Sequence, residues 1–392
     1  MVTALPPVAV DAIRRMKSKT LMALSASAVA LPGVLVSTST IADTPPTAKV
    51  ISYRASSYKE DGLASEALLA GSPERYDIEI HQIRYSSPIG EKYSFSLGSS
   101  YESMSGASPW YTVKSANGNT KVAMSGASIY EKRRDVTASV KRYYDRGNVG
   151  ASFTISDEND YRSNSASVDG SFTLANDSTT LSAGIAHSDD DINPTDAALF
   201  NRILSANKST TSAFASVTQI LNQFSIIQTG VSSTRAGGYL TDPYKLSDNR
   251  PAERNQFTWT TSWRRYFREQ RSAFHANYRF YDDDFGVRSH TIDFALYKSF
   301  SRSITLVPNV RYYHQQAADF FTPATDFART MEFNSSDYRL SKYDALSAGL
   351  KFNVQLGNYT LVLSGERYRT SGSSNPAVID FTRLSAGIDY TF

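Results

Sequence analysis

The stretch FHANYRF (Phe274–Phe280) alternates apolar Phe274, Ala276, Tyr278 and Phe280 with His275, Asn277 and Arg279. Strand side chains point to opposite faces in turn, so this segment has one apolar and one polar face. The same period recurs on either side. Phe257, Trp259, Thr261 and Trp263 alternate with Thr258, Thr260 and Ser262. Leu346, Ala348, Leu350, Phe352 and Val354 alternate with Ser347, Gly349, Lys351 and Asn353. Such segments run for about ten to thirteen residues, and almost no helical period follows Pro46. A soluble sandwich would turn its apolar faces inward on strands of about 5–6 residues. A membrane barrel turns them to lipid on strands of about 9–11 residues or longer. The expectation is an all-β chain, a transmembrane antiparallel β-barrel.

The connectors support this reading. Tight links at Tyr144–Gly147, Ala175–Ser178, Leu221–Gln223, Phe267–Arg271, Ser299–Ser303 and Gln355–Asn358 alternate with longer ones. The longer links are Glu60–Glu74, Ser105–Lys132, Ser188–Thr210, Ala236–Arg254, Gln316–Ser341 and Ser371–Asp380, with two short exceptions near Asn159–Arg162 and Asp283–Gly286. Short turns on one rim and long loops on the other suit periplasmic turns and extracellular loops. About sixteen strands are predicted, near 49–58, 76–87, 92–104, 133–143, 148–158, 163–174, 178–188, 211–221, 224–235, 255–267, 271–282, 287–299, 303–315, 342–354, 358–369 and 381–392. Fourteen or eighteen remain open, since Thr120–Tyr130 fits strand or loop and the first segment alternates weakly. Pro308 cannot donate to a ladder, so a bulge or local break is expected there.

Composition narrows the class. The 392 residues hold 41 Lys plus Arg against 38 Asp plus Glu. The excess of three lies in residues 1–42, where Arg14, Arg15, Lys17 and Lys19 face only Asp11. A neutral remainder argues against a nucleic-acid partner. With no cysteine, disulfides, thiolate metal sites and cysteine nucleophiles are excluded. The basic stretch precedes an apolar run, Leu21–Val36, and then Thr40-Ile41-Ala42 before Asp43. Residues 1–42 are therefore expected to be an export signal, with Met16 an alternative start and 43–392 one barrel domain. At the other end Leu384, Ala386, Ile388, Tyr390 and Phe392 share a face, resembling the terminal strand read by the outer-membrane barrel assembly machinery.

The motifs SGASP (Ser105–Pro109), SGAS (Ser125–Ser128) leading into YEKRRDV (Tyr130–Val136), and YRFYDDDFGVRSHT (Tyr278–Thr291) resemble a Gram-negative family catalogued as an outer-membrane domain of unknown function. The resemblance runs from about Val50 to Phe392. It implies an outer-membrane barrel. Genes for a flavin-transferring periplasmic lipoprotein beside members of this family imply a redox or metal context.

Sixteen-stranded barrels generally enclose a water-filled lumen. The inward residues expected to line it are Arg264, His275, Asn277, Arg279, Tyr281, Asp293, Asn309, Arg311, Tyr313, Lys351, Asn353 and Glu366. Such mixed charges can tune ion selectivity, or simply brace a solvated wall. Two acidic clusters, Asp189-Asp190-Asp191 and Asp282-Asp283-Asp284, are expected where strands enter outer loops. They could hold a hard cation, but neither has the spacing of a calcium loop. Gly286 favours the alternative that the second triplet caps a hairpin. The repeated MSGAS (Met104–Ser108, Met124–Ser128) brackets one loop that could fold back into the lumen.

No nucleophile elbow, phosphate loop or HExxH occurs. His275 and Asp293 could be neighbours on adjacent strands, and His187, His290 and His314 are rim histidines that a hydrolase would need. The expectation is a non-enzymatic passive channel for small polar solutes or ions, without a cofactor, metal or nucleic acid. Its partners would be outer-membrane lipid, lipopolysaccharide, the assembly machinery and a periplasmic protein. A non-conducting surface-binding or partner-sheath barrel is the rival.

Overall fold

The computed structural model describes residues 44–126, 129–325 and 331–392. The expected export signal and Ala127–Ser128 of the second SGAS lie outside them. Nineteen strands are formed among the described residues. The first eight are β1 (Val50–Glu60), β2 (Leu68–Ala70), β3 (Asp77–Ile89), β4 (Tyr93–Gly106), β5 (Pro109–Lys114), β6 (Thr120–Met124), β7 (Ile129–Tyr144) and β8 (Gly147–Asp157). Then come β9 (Tyr161–Thr173), β10 (Thr179–Ile192), β11 (Ala206–Asn222), β12 (Ser225–Gly238), β13 (Glu253–Phe267) and β14 (Ser272–Asp283). The last five are β15 (Arg288–Ser299), β16 (Ile304–Gln315), β17 (Tyr343–Leu356), β18 (Tyr359–Ser371) and β19 (Phe381–Thr391). Sixteen close into one antiparallel barrel in chain order, β1 against β19 at the seam, while β2, β6 and β5 form a separate small sheet. Each barrel strand corresponds to one predicted segment, so the count of sixteen holds.

One parity runs around the outer wall. Tyr53 faces Ile388 and Ile83 in register, Leu181 faces Phe172, and Trp259 faces Val231. All of these side chains are exposed. A wall of exposed aliphatic and aromatic residues is what hydrocarbon accepts and water does not. This belt covers only part of each strand. Toward the long loops the same outward parity turns polar, with Glu79, Lys132, Arg162, Asp189 and Arg369. That explains why β10 and β11 continue to Ile192 and back to Ala206, beyond the expected loop boundaries at 188 and 210. Their ends leave the apolar belt, so they lack the apolar period that marks the rest.

The ladder between β15 and β16 loses the pairs Leu296 with Pro308 and Tyr297 with Val307, without a change of register. The expected defect at Pro308 is thus a local break rather than a bulge, because its ring removes a donor without adding a residue. Thr120–Tyr130 is divided: Thr120–Met124 forms β6 of the small sheet, and Ile129–Tyr130 opens β7.

Candidate functional site

The lumen has two unlike halves. From β4 to β12 the inner wall carries many hydroxyls that bond across strands, interspersed with charges such as Lys141 with Asp169 at 3.8 Å, Arg133 with Glu102 at 3.9 Å, and Asp135. Ser96 pairs with Ser139, Thr137 with Thr154 at 2.8 Å, Ser152 with Ser167 at 2.6 Å, and Ser212 with Thr234 at 2.8 Å. From β13 through β19 to β1 the wall is charged. All twelve expected lining residues lie on this side and carry the inward parity, opposite to the exposed apolar belt. Arg311 pairs with Asp293, Arg383 with Glu366 at 2.7 Å, and Arg54 with Asp389 at 2.8 Å. Arg279 is exposed. On this sector the inward parity carries seven cations, Arg54, Arg254, Arg264, Arg279, Arg311, Lys351 and Arg383, against five anions, Glu60, Asp283, Asp293, Glu366 and Asp389. The Arg311 and Arg383 side chains are 51% and 54% exposed although they point inward, so water reaches the middle of the lumen.

One expectation needs correction. His275 does not meet Asp293. Asp293 stands opposite Asn277 and binds Arg311, whereas His275 packs on the Tyr297 ring at 4.4 Å. The rim histidines face outward. His290 and His314 are register partners on the outer wall, bound to the Tyr278 hydroxyl and to Asp344 at 2.8 Å each. His187 bonds Thr211 and Asp189 on the same face. The parity was visible in sequence, since His187 follows Ile185 and His290 precedes Ile292.

The first acidic triplet stands at the end of β10, which runs to Ile192, where the chain enters the outer loop. It is split between faces. Asp190 is buried inside with Lys208 at 3.1 Å and Ser163, while Asp189 and Asp191 stay exposed outside. In the second, Asp283 binds Arg254 and accepts the Phe285 and Val287 amides, which caps the β14–β15 turn. Gly286 there has φ +81, a conformation open to glycine at little cost. Asp282 pairs with Arg288, and Asp284 accepts from Asn255. Among the described residues, no three carboxylate or imidazole side chains converge as a metal site.

Above the lumen the long loops knit together. The two MSGAS copies bond to one another, Ser125 N to Ser108 O and Ser108 N to Ser125 Oγ, both at 2.9 Å. They hold the β5–β6 hairpin at the mouth. Ala107, Val122 and Met124 of that loop bury against Ala377 of the β18–β19 loop, with Leu63, Leu68 and Tyr338 around them. Phe285, Ala318, Phe320 and Leu340 form a second cluster packed on the inward Tyr281. Inward Tyr58, Ile78, Ile80 and Met104 join Tyr76 in a third. These apolar loop residues show no periodicity, which is why sequence reading passed over them.

The centre of this cover is ionic. Asp337, which caps the 3₁₀ turn Tyr338–Leu340, is fully buried. Arg339 Nε and Arg250 Nη2 each lie 2.8 Å from it, and Lys245 Nζ lies 3.9 Å away. Burial disfavours its charge, yet Arg339, Lys245 and Arg250 outweigh burial and hold its pKa well below the ordinary carboxylate range. Asp242 binds Arg339 at 2.7 Å and Asp248 binds Arg250 at 2.8 Å. A second buried pair, Arg75 with Glu60 at 2.7 Å, joins the first loop to the end of β1, and Arg75 also donates to Ala377 O.

At the wall, the Tyr244 hydroxyl donates to Asp160 and accepts from Thr195 N. Burial pushes Asp160 up to about 7, with the Glu131 charge adding to it, and pushes Glu158 up to about 8. One oxygen each of Asp160 and Glu131 is buried without a hydrogen-bond partner.

A family model described as "Protein of unknown function (DUF3570)" matches residues 21–381. The chain belongs to this family. No curated protein matches it. Among solved structures it is similar to a bacterial polysaccharide outer membrane secretin, at 11% identity and TM-score 0.49 over 88% of this chain and 98% of that one. It is also similar to OccD3 of Pseudomonas aeruginosa, at 9% identity and TM-score 0.44 over 88% and 91% of the two chains. CdiB of Escherichia coli matches at 11% identity and TM-score 0.49, over 87% of this chain and 63% of that chain. These likenesses concern the barrel fold alone.

Proposed function

We propose that this DUF3570 member is an outer-membrane channel for small polar solutes or ions, whose outer mouth is covered by its own loops. The observation that carries the reading is the half-exposed ionic wall inside the barrel, where the Arg311 and Arg383 side chains point inward and stay open to water. Charges of both signs along a water-filled lumen set a transverse field that acts on passing ions. The apolar belt would sit in the outer membrane, placing short turns in the periplasm and the polar upper wall among lipopolysaccharide.

The test is conductance of residues 43–392 in a planar bilayer with a salt gradient. Unitary steps are expected, and their reversal potential reports the ion preference. Replacing Arg279 and Arg311 by Gln should move that potential toward cations. The loop cover supports a second reading, a surface-binding barrel that does not conduct. An inserted protein that stays silent even when its loops are released would favour that reading and overturn the channel.

A further inference from the structure

The short-turn rim concentrates its excess of positive charge on one sector. The β13–β14 turn presents Arg268 and Arg271 with one acid, Glu269, and the β15–β16 turn presents Arg302. Arg265 and Lys298 stand just above them on the outward parity, below Trp263 and Leu296. That makes five cations against one anion; counted in the turns alone it is three basic and one acidic, whereas the other five short turns together hold two basic and three acidic residues. The two turns form one surface: Ser299 N donates to Arg271 O at 3.0 Å, and Lys298 Nζ donates to Gln270 O.

Aromatic rings are interleaved with the cations. Arg265 lies over Phe267 and Arg268 over Phe224, at 5.6 and 5.3 Å. Tyr266 and Phe300 are exposed beside them. Arg265, Arg268, Arg271 and Arg302 are all exposed, and among the described residues none has an acidic partner within ion-pair distance.

We infer that this sector binds the headgroups of anionic phospholipids in the inner leaflet of the outer membrane. The outward position of Arg265 and Lys298, directly under the apolar belt, puts their charges at headgroup depth rather than below the barrel. Rings suit the same layer, with an apolar body and a polarisable face toward the cations. A soluble acidic protein would meet the turn tips and leave the outward cations unused. Near an anionic surface each such cation strengthens attachment about five-fold. The inference rests on the membrane placement proposed above.

The full barrel would be inserted into two bilayers of equal acyl chains, one of phosphatidylcholine alone and one mixed with phosphatidylglycerol and cardiolipin. Lipids retained after gentle extraction are then counted by native mass spectrometry. The native protein is expected to retain anionic over neutral lipid. The quadruple variant Arg265→Gln, Arg268→Gln, Arg271→Gln and Arg302→Gln should lose at least ten-fold of that preference, and Arg302→Gln alone, at a hairpin tip that tolerates change, a smaller part. Equal retention of both lipids by a correctly inserted protein, or a variant with undiminished preference, would overturn the inference. Capture of an acidic periplasmic protein without any lipid preference would also overturn it, in favour of a protein partner. A chain that enters neither bilayer would instead refute the membrane placement.

Discussion

Replacing Asp337 by Asn removes one charge from the middle of the loop cover and little else. The amide oxygen of Asn still accepts from Arg339 N, so the cap of the 3₁₀ turn persists. Asp242 then remains on Arg339 and Asp248 on Arg250, while Lys245 loses its ion-pair partner among the described residues. Lys245 and Arg250 are nearly buried in the cover, with side chains 8% and 12% exposed, so water cannot replace the lost anion while it stays closed. Removing one partner from a buried ionic cluster costs about 3–5 kcal/mol. The sixteen strands do not depend on this cluster, and the penalty therefore falls on closure of the loops. A change of that size raises the open fraction roughly 10²–10³-fold. Two measurements read it: tryptic cleavage within 239–252, and the open probability of single barrels in a bilayer. Asp337→Asn should increase both while heat-modifiable migration and strand content stay native. A folded variant with native cleavage and native traces would refute the claim that this cluster holds the loops shut.

Two further outcomes follow from the wall and the seam. Burial raises Asp160 from 3.8 to about 7 and Glu158 from 4.5 to about 8, so the closed loops favour the protonated forms. Their contribution is complete below about pH 4 and is lost as pH rises through 7 to 8, on the order of 4 kcal/mol for Asp160 alone. Hydrogen exchange at the Thr195 amide, corrected for intrinsic rate, should accelerate from pH 5 to 8.5, and Asp160→Asn should flatten that profile; an unchanged slope would count against it. At the seam, the Arg54 side chain passes over Gly387 to reach Asp389, leaving no room for a side chain at 387. Gly387→Val should break that pair and lower the barrel's melting temperature, a cost of about 1–2 kcal/mol, whereas Gly237→Val, at an open position, should not.

What could be read in advance was whatever repeats with period two. Every barrel strand announced itself because one face must be apolar to meet lipid, and the twelve lining residues followed from the same parity. The histidines at 187, 290 and 314 obeyed it too, but they had been grouped by their place near the rim instead of by their neighbours. The hydroxyl half of the lumen was missed because serine is common and carries no charge, so its alternation looked like filler. The loop cover was illegible for a different reason. Asp337 meets Arg250 and Lys245 across about ninety residues of chain, and Phe285 meets Phe320 with no intervening pattern. Contacts of that range are decided only once the barrel has brought its loops together.

The cover has no chain of its own. Each piece is a loop stitched at both ends to neighbouring strands, and the pieces hold one another through separate contacts: Tyr244 on Asp160, Lys245 on Asp337, Arg75 on Glu60. Such a lid cannot leave as a body. Its flaps lift one at a time and remain, after lifting, at millimolar effective concentration over their own seats, so they fall back quickly. A single barrel should accordingly flicker among several partial levels rather than switch between two, with each level bearing the signature of the flap that is up.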